Sequence, residues 1–232
     1  MSIVERSSHR TTPDRVRPPG RLARRLAGPG WVIMTLACLA IVLITSRYLT
    51  FDPEVYFPEQ REIYLQREFA LGVHVVGGVL ALLIGPVQFV GRLRRRVVRV
   101  HRFMGATYVA SATALGLSGL ILAPTAYTGL VASAGFTVLD LAMLFTTWTA
   151  VRMIVARRYG DHRRWMIRSF SLIMAGVMLR VWTPLHGVLA GAGIVDISFE
   201  TAYAAIAWLC WVPNLLIAIW FTRRPPAIAA AA

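Results

Sequence analysis

The stretch that decides the fold runs from Phe69 to Arg102. Residues 69–90 read FALGVHVVGGVLALLIGPVQFV, and residues 91–102 read GRLRRRVVRVHR. The first part has one ionisable side chain, His74, and is long enough to cross a bilayer as a helix, which takes about 20 apolar residues. The second part carries six Arg, the pattern of a loop retained on the cytoplasmic side of a membrane. Together they predict a helical membrane protein.

The composition of the whole chain agrees with this prediction. Hydrophobic residues make up 56% of the 232 residues and charged residues 16%, and the mean hydropathy is +0.58, above the range of soluble domains. All 25 basic residues are Arg, and the net charge is +14. Because these Arg residues stand at the ends of apolar stretches, anionic lipid headgroups on the cytoplasmic face are the expected counterpart, and nucleic acid is not.

Six apolar stretches predict an all-α bundle of six transmembrane helices. A disordered, Arg-rich tail is expected over residues 1–30, a membrane domain over 31–222 and a short tail over 223–232. A cleaved signal peptide is the alternative for the first stretch, but no A-x-A-like site follows it. Cys38 and Cys210 lie inside apolar runs and are expected to be buried thiols. The predicted spans are Trp31–Ile44 (extending towards Phe51), Phe69–Val90, Phe103–Ala123, Val131–Ala156, Trp165–Leu189 and Thr201–Phe221.

The Arg-rich segments predict the orientation. The N-terminal tail, the 91–102 loop, the 157–164 turn and Arg223-Arg224 fall on one side, and acidic loops fall on the other. Both termini are therefore expected in the cytoplasm of a bacterial cell, with the protein in its cytoplasmic membrane. The Tyr48–Glu68 segment interleaves aromatic and acidic residues, so we expect it to lie along the outer interface as an aromatic belt.

Three ionisable side chains lie deep inside predicted spans: His74, Asp140 and Arg180. Counted from the cytoplasmic helix ends at 1.5 Å per residue, His74 and Asp140 stand about 24 Å deep and Arg180 about 22 Å. Lone charges there cost several kcal/mol, so such groups face the bundle interior and pair. The sequence therefore predicts an Asp140–Arg180 ion pair near His74. It would act as a static clamp between helices, or as a proton path or ligand-anchoring site.

A second group stands at the cytoplasmic edge, where His101 and His162 each open a predicted helix and are each followed by Arg. Two imidazoles at one level could ligate the iron of haem b, with Gly105 leaving room for the macrocycle and Arg102 and Arg163 binding its propionates. The same residues, at two helix N-termini, could bind an anion such as a phosphate headgroup. The third interpretation is that they only anchor helix ends at the interface.

Three motifs resemble a known family. They are H-x-x-G-G-x-L-A-L-x-x-G-P-x-Q-F over His74–Phe89, H-R-x-x-G-x-x-Y over His101–Tyr108 and H-R-R-W-M-I-R-S over His162–Ser169. In this order, over about residues 69–190, they resemble a bacterial multi-pass membrane family of unknown function, domain of unknown function 2306. The resemblance implies an integral-membrane fold and no particular activity.

A shorter resemblance concerns His101-Arg102-x-x-Gly105, which is similar to the His-Arg-x-x-Gly signature of haem A synthases. That signature has a Glu three residues before the His, where this chain has Val98, and it belongs on the outer side of the membrane. P-loop, HExxH, CxxC and GxSxG motifs are absent from the sequence. Three classes of function therefore stay open: a b-type haem redox protein, a binder of anionic lipid or isoprenoid phosphate, and a non-catalytic scaffold or assembly factor.

Overall fold

The computed structural model describes residues 21–91 and 96–223, and within these ranges it is helical without strands. Six helical stretches are long and apolar enough to cross a membrane. This confirms the predicted all-α architecture and the number of spans. The stretches are Gly28–Thr50, Glu68–Gln88, Val98–Thr125, Leu130–Val155, Tyr159–Gly191 and Phe199–Thr222.

Several spans consist of more than one helix, and short 3₁₀ turns connect some of them. We number the α-helices in chain order. They are α1 (Arg21–Ser46), α2 (Arg61–Gln66), α3 (Glu68–Gln88), α4 (Val98–Leu122), α5 (Leu130–Val155), α6 (Tyr159–Ile173), α7 (Ala175–Gly191), α8 (Phe199–Leu209) and α9 (Val212–Thr222).

Helices α3 to α6 form the centre of the bundle. Helix α3 packs along α4, α5 packs against both α4 and α6, and α1 lies against α3 on the outside. In the most apolar 18 residues of each span, 11% are buried in the first span and 44% in the second, so α1 flanks the core. Cys38 and Cys210 are buried free thiols.

Glycine permits a close contact between the backbones of α3 and α4. A Cβ at Gly77 would lie 2.8 Å from the backbone oxygen of Ser111 and 3.0 Å from the backbone nitrogen of Leu115. Small residues let helices approach in this way where lipid supplies no hydrophobic force between them. Gly77 is therefore where this span packs against α4.

Two spans are interrupted. Helix α8 ends at Leu209 and α9 begins at Val212, with Pro213 in its first turn. Because proline cannot donate a backbone hydrogen bond inside a helix, the sequence predicts a bend here. The second interruption, at Met174 between α6 and α7, has no proline or other signal in the sequence and was not predicted.

Two sequence expectations about the N-terminal third need correction. Helix α1 begins at Arg21, inside the predicted tail; residues 1–20, the rest of that tail, lie outside the described residues, as do residues 224–232. In the Tyr48–Glu68 segment, one of the aromatic side chains expected along the outer interface faces the bundle instead. Tyr56 is 2% exposed and packs on Leu71 and Val75 of α3, because its ring buries more apolar surface on the bundle than it would at the interface.

Candidate functional site

A cavity of about 230 Å³ lies within the bundle, towards the end covered by the Tyr48–Glu68 segment. The three deep ionisable residues predicted from the sequence, His74, Asp140 and Arg180, all line it. Each comes from a different helix, α3, α5 and α7. Further polar side chains in the lining, which the sequence did not single out, are Thr45, Tyr48, Gln60, Tyr64 and Tyr203.

Arg180 reaches the cavity from α7 and makes one hydrogen bond, from Nη1 to the backbone oxygen of Gly176, 3.1 Å away on the same helix. Its guanidinium interacts electrostatically with the phenols of Tyr48, Tyr64 and Tyr203. A guanidinium has five N–H donors. Its remaining N–H groups are thus available to an acceptor in the cavity.

Asp140 approaches the cavity from the opposite side, packed against Gly119 of α4. The side chain is 5% exposed, and a Cβ at Gly119 would lie 2.6 Å from its Oδ1 atom. Among the described residues no ion pair joins Asp140 to Arg180, so the predicted direct pair is wrong. Arg180 turns towards the tyrosines and Asp140 towards Gly119.

His74 completes the ionisable lining. Its Nδ1 atom is buried and has no hydrogen-bond partner among the described residues. The imidazole lies near the backbone oxygen of Leu115 and interacts electrostatically with Arg180. A buried imidazole nitrogen without a partner costs free energy, and a polar group of a ligand would remove that cost.

The Tyr48–Glu68 segment closes one end of the cavity. Gln60 donates from Nε2 to the backbone oxygen of Thr125, 2.6 Å away, and the Tyr64 hydroxyl donates to Gln60 Oε1 at 3.1 Å. Desolvation raises the pKa of Tyr64, and the nearby Tyr203 and Tyr48 phenols raise it further. Its phenol therefore remains a neutral hydrogen-bond donor. No sequence pattern indicates that the polar side chains of this segment, which lies between two spans, turn inward.

The other predicted site stands at the arginine-rich end. His162 Nδ1 is 2.9 Å from the backbone oxygen of Ala150 on α5. The His101 backbone oxygen accepts a hydrogen bond of 3.1 Å from Gln88 Nε2. The same Gln88 amide lies beside Gly105, where an added Cβ would be 3.3 Å from Nε2. The space at Gly105, which the sequence analysis reserved for a macrocycle, is thus bordered by an amide side chain.

Three buried hydroxyls hold the helices that carry these histidines. Ser169 Oγ is 3.0 Å from the Tyr108 hydroxyl and 2.7 Å from Thr147 Oγ1, which joins α6 to α4 and α5. His101 stands seven residues before Tyr108, and His162 seven residues before Ser169. Both histidines therefore lie about 10 Å below the same contact, at one level. Their neighbours Arg102 and Arg163 are exposed.

A sequence profile of the DUF2306 family, described as a predicted membrane protein, matches residues 71–222. The chain belongs to the DUF2306 family. No curated protein and no solved structure matches it.

The two ends of this DUF2306 protein offer different chemistry. The cavity combines a cation, a carboxyl and an imidazole with an apolar wall. The arginine-rich end offers two level imidazoles and exposed Arg. In residues 21–91 and 96–223, no group of three or more His, Cys, Asp or Glu side chains forms a candidate metal centre. The cavity is the site where several described polar groups face one enclosed volume.

Proposed function

We propose that this membrane protein binds an amphipathic small molecule in the 230 Å³ cavity. The observation that carries the proposal is that Arg180 and Asp140 face one cavity and do not pair with each other. Buried ionisable groups in a membrane are costly unless they are paired. A ligand that engages both groups removes this cost, and a static clamp between the two helices does not fit their geometry.

The lining specifies the chemistry of the ligand. Arg180 supplies donors only, so it calls for an anionic or acceptor group, and Asp140 calls for a cationic or donor group. The deeper wall is apolar and includes Leu82, Leu115 and Met143. An engineered cavity of about 150 Å³ holds benzene, so this one has room for a polar head and a short apolar body. A lipid or isoprenoid tail would extend beyond it, between the helices.

A chain-matched series of eight-carbon amphiphiles tests the proposal. The purified protein is melted in detergent with octanoate, octylamine or 2-aminooctanoate, each at the same mole fraction in the micelles. We expect 2-aminooctanoate, which carries both groups, to raise the melting temperature most. Saturation at 100 times the dissociation constant stabilises a protein by about 2.7 kcal/mol. Equal shifts for all three compounds would contradict the proposal.

A pair of substitutions separates binding in the cavity from insertion into the micelle. Leu139 lines the cavity, whereas Leu141 is 53% exposed on the lipid-facing surface. We expect Leu139→Trp to abolish the stabilisation by 2-aminooctanoate and Leu141→Trp to retain it. Loss in both variants, or in neither, would show that the compound acts from outside the cavity.

We propose haem b as a second candidate ligand, at the arginine-rich end. The His162 Nδ1 contact with Ala150 supports it, since a backbone carbonyl that accepts from Nδ1 leaves Nε2 free to coordinate a metal. His101, at the same level, would supply the second axial ligand, and Arg102 and Arg163 would bind propionates. Haem would give the protein a redox or electron-transfer role.

The visible spectrum of the protein purified from haem-replete cells, reduced minus oxidised, tests this second candidate. A low-spin Soret band that His162→Ala removes and His186→Ala retains would support it. His186 is the control because its Nε2 contacts the backbone oxygen of Ile197 at the other end of the bundle. A spectrum without a Soret band would refute the haem assignment. Failure of both ligand tests would leave the scaffold interpretation.

A further inference from the structure

In the part of the chain that the structure describes, helices α6 and α9 meet at the arginine-rich end through one polar contact, between Arg168 and Thr222. Arg168 donates from Nε to the Thr222 hydroxyl, 3.1 Å away, and that hydroxyl donates to the Ala218 backbone oxygen at 2.7 Å. The Arg168 guanidinium carbon lies 4.6 Å from the centre of the Trp165 ring. A hydrogen bond on one edge and a ring on one face fix the orientation of the guanidinium plane.

The terminal nitrogens of Arg168 make no ion pair with a carboxylate among the described residues. The nearest acid on the same helix, Asp161, is shared by Arg158 at 2.6 Å and Arg164 at 2.9 Å. Arg164 also interacts electrostatically with Arg168. Asp161 is thus already engaged by two guanidinium groups, so the positive charge of Arg168 has no carboxylate partner among the described residues. The Nη groups of Arg168 form a fork that fits phosphate or carboxylate oxygens.

The position of Arg168 favours a phosphate at the membrane surface. Its partner Thr222 is the last residue of the last described helix, immediately before Arg223. Trp220 and Phe221 beside it are exposed by 64% and 72%. Aromatic residues at a span end mark the headgroup level of a bilayer, where lipid phosphates lie. A fixed guanidinium at that level faces the phosphodiester of a lipid rather than a soluble anion.

We propose that Arg168, oriented by Thr222 and Trp165, binds the phosphate of one anionic phospholipid between α6 and α9. This site is separate from the cavity and does not depend on its ligand. It differs from general attraction of lipids to the Arg-rich surface, because one side chain with a defined orientation carries it. Net charge alone would make every exposed Arg of this surface equivalent.

The test compares phosphatidylglycerol with phosphatidylcholine added to delipidated, detergent-purified protein, and follows the melting temperature. Arg152 is the matched control, since it is exposed at the same end of the bundle, in the last turn of α5. We expect phosphatidylglycerol to stabilise the wild type and Arg152→Gln equally, and the shift to fall by at least half in Arg168→Gln. Equal loss in the two Gln variants, or equal stabilisation by both lipids, would overturn the proposal.

Two further measurements test the source of the anion and the role of Thr222. Inorganic phosphate at the same phosphate concentration distinguishes the sources of the anion: stabilisation equal to that by phosphatidylglycerol would refute the lipid assignment. Thr222→Val removes the hydrogen bond that orients Arg168 and retains the charge. We expect it to reduce the phosphatidylglycerol shift partially, and an unchanged shift would show that orientation by Thr222 has no part in binding. Thr222→Val also serves as the test variant if Arg168→Gln does not fold.

Discussion

Gly77 and Gly78 are neighbours in α3, but a methyl group added to each meets different surroundings. At Gly77 the new Cβ would lie 2.8 Å and 3.0 Å from backbone atoms of α4, which cannot move aside without shifting the helix. At Gly78 the nearest atom is Leu115 Cδ1 at 3.6 Å, an ordinary contact. We therefore expect Gly77→Ala to destabilise the bundle and Gly78→Ala to be tolerated.

The expected difference can be estimated because helix propensity cancels between the two variants. Each Gly→Ala change in a helix gains about 1 kcal/mol from propensity. At Gly77, overpacking opposes this gain and costs about 1–3 kcal/mol. Gly78→Ala does not incur this cost. For a chain of this size each kcal/mol shifts the melting temperature by about 2–4 °C, so Gly77→Ala should melt about 2–12 °C below Gly78→Ala.

The assay is thermal unfolding in detergent, followed by the intrinsic fluorescence of the seven Trp residues. Both variants are purified in one detergent and measured with the wild type. Equal melting temperatures for Gly77→Ala and Gly78→Ala would refute the reasoning, since they would mean that α3 and α4 do not approach closely at Gly77. A lower melting temperature for Gly78→Ala than for Gly77→Ala would show that α4 contacts the face of α3 that carries Gly78.

Three other outcomes are expected. Ser169→Ala should lower the free energy of unfolding by about 1–3 kcal/mol, because it leaves two buried hydroxyls without a partner. Ser171→Ala should change it little, since the Ser171 hydroxyl bonds within its own helix. Chemical unfolding compares the two variants, and equal effects would contradict the hydroxyl network. Asp140→Asn and Arg180→Gln, measured without added ligand, should not show the coupling of about 3–5 kcal/mol that breaking a buried ion pair costs, and a coupling of that size in the double variant would restore the ion pair. Reporters fused at residue 232 and within residues 48–68 should give opposite signals if both termini are cytoplasmic, and matching signals would reverse that assignment.

The spans could be predicted because hydropathy and Arg placement follow directly from the solvent that each segment meets. The inward-facing positions of His74, Asp140 and Arg180 could also be predicted, since their place along each span follows from the residue count in a helix. Their pairing was not, because it depends on the rotamer of a long side chain and on which neighbours compete for it. The guanidinium of Arg180 interacts with tyrosines of the Tyr48–Glu68 segment. That segment has no hydrophobic periodicity from which its path could be predicted.

The lining contributed by Gln60 and Tyr64 was missed for the same reason. Both residues lie between spans, where polar and aromatic residues are expected to face water or headgroups. Their inward position depends on a contact with Thr125, 65 residues from Gln60 in sequence. The break at Met174 was missed because no Pro or Gly-rich signal accompanies it. Local sequence patterns carry no information about contacts of this kind.

The interruption at Met174 has a consequence for modularity. It divides the fifth span into α6, which carries Arg168 and Ser169 and is fastened to three neighbouring helices, and α7, which carries Arg180. Arg180, the ionisable side chain that this span contributes to the cavity, therefore lies on the other side of the break from Arg168 and Ser169, while Leu172 and Ile173 of α6 also line the cavity. A chimaera that exchanges ligand preference between two members of the family would be joined at this position, inside a span, rather than at a loop.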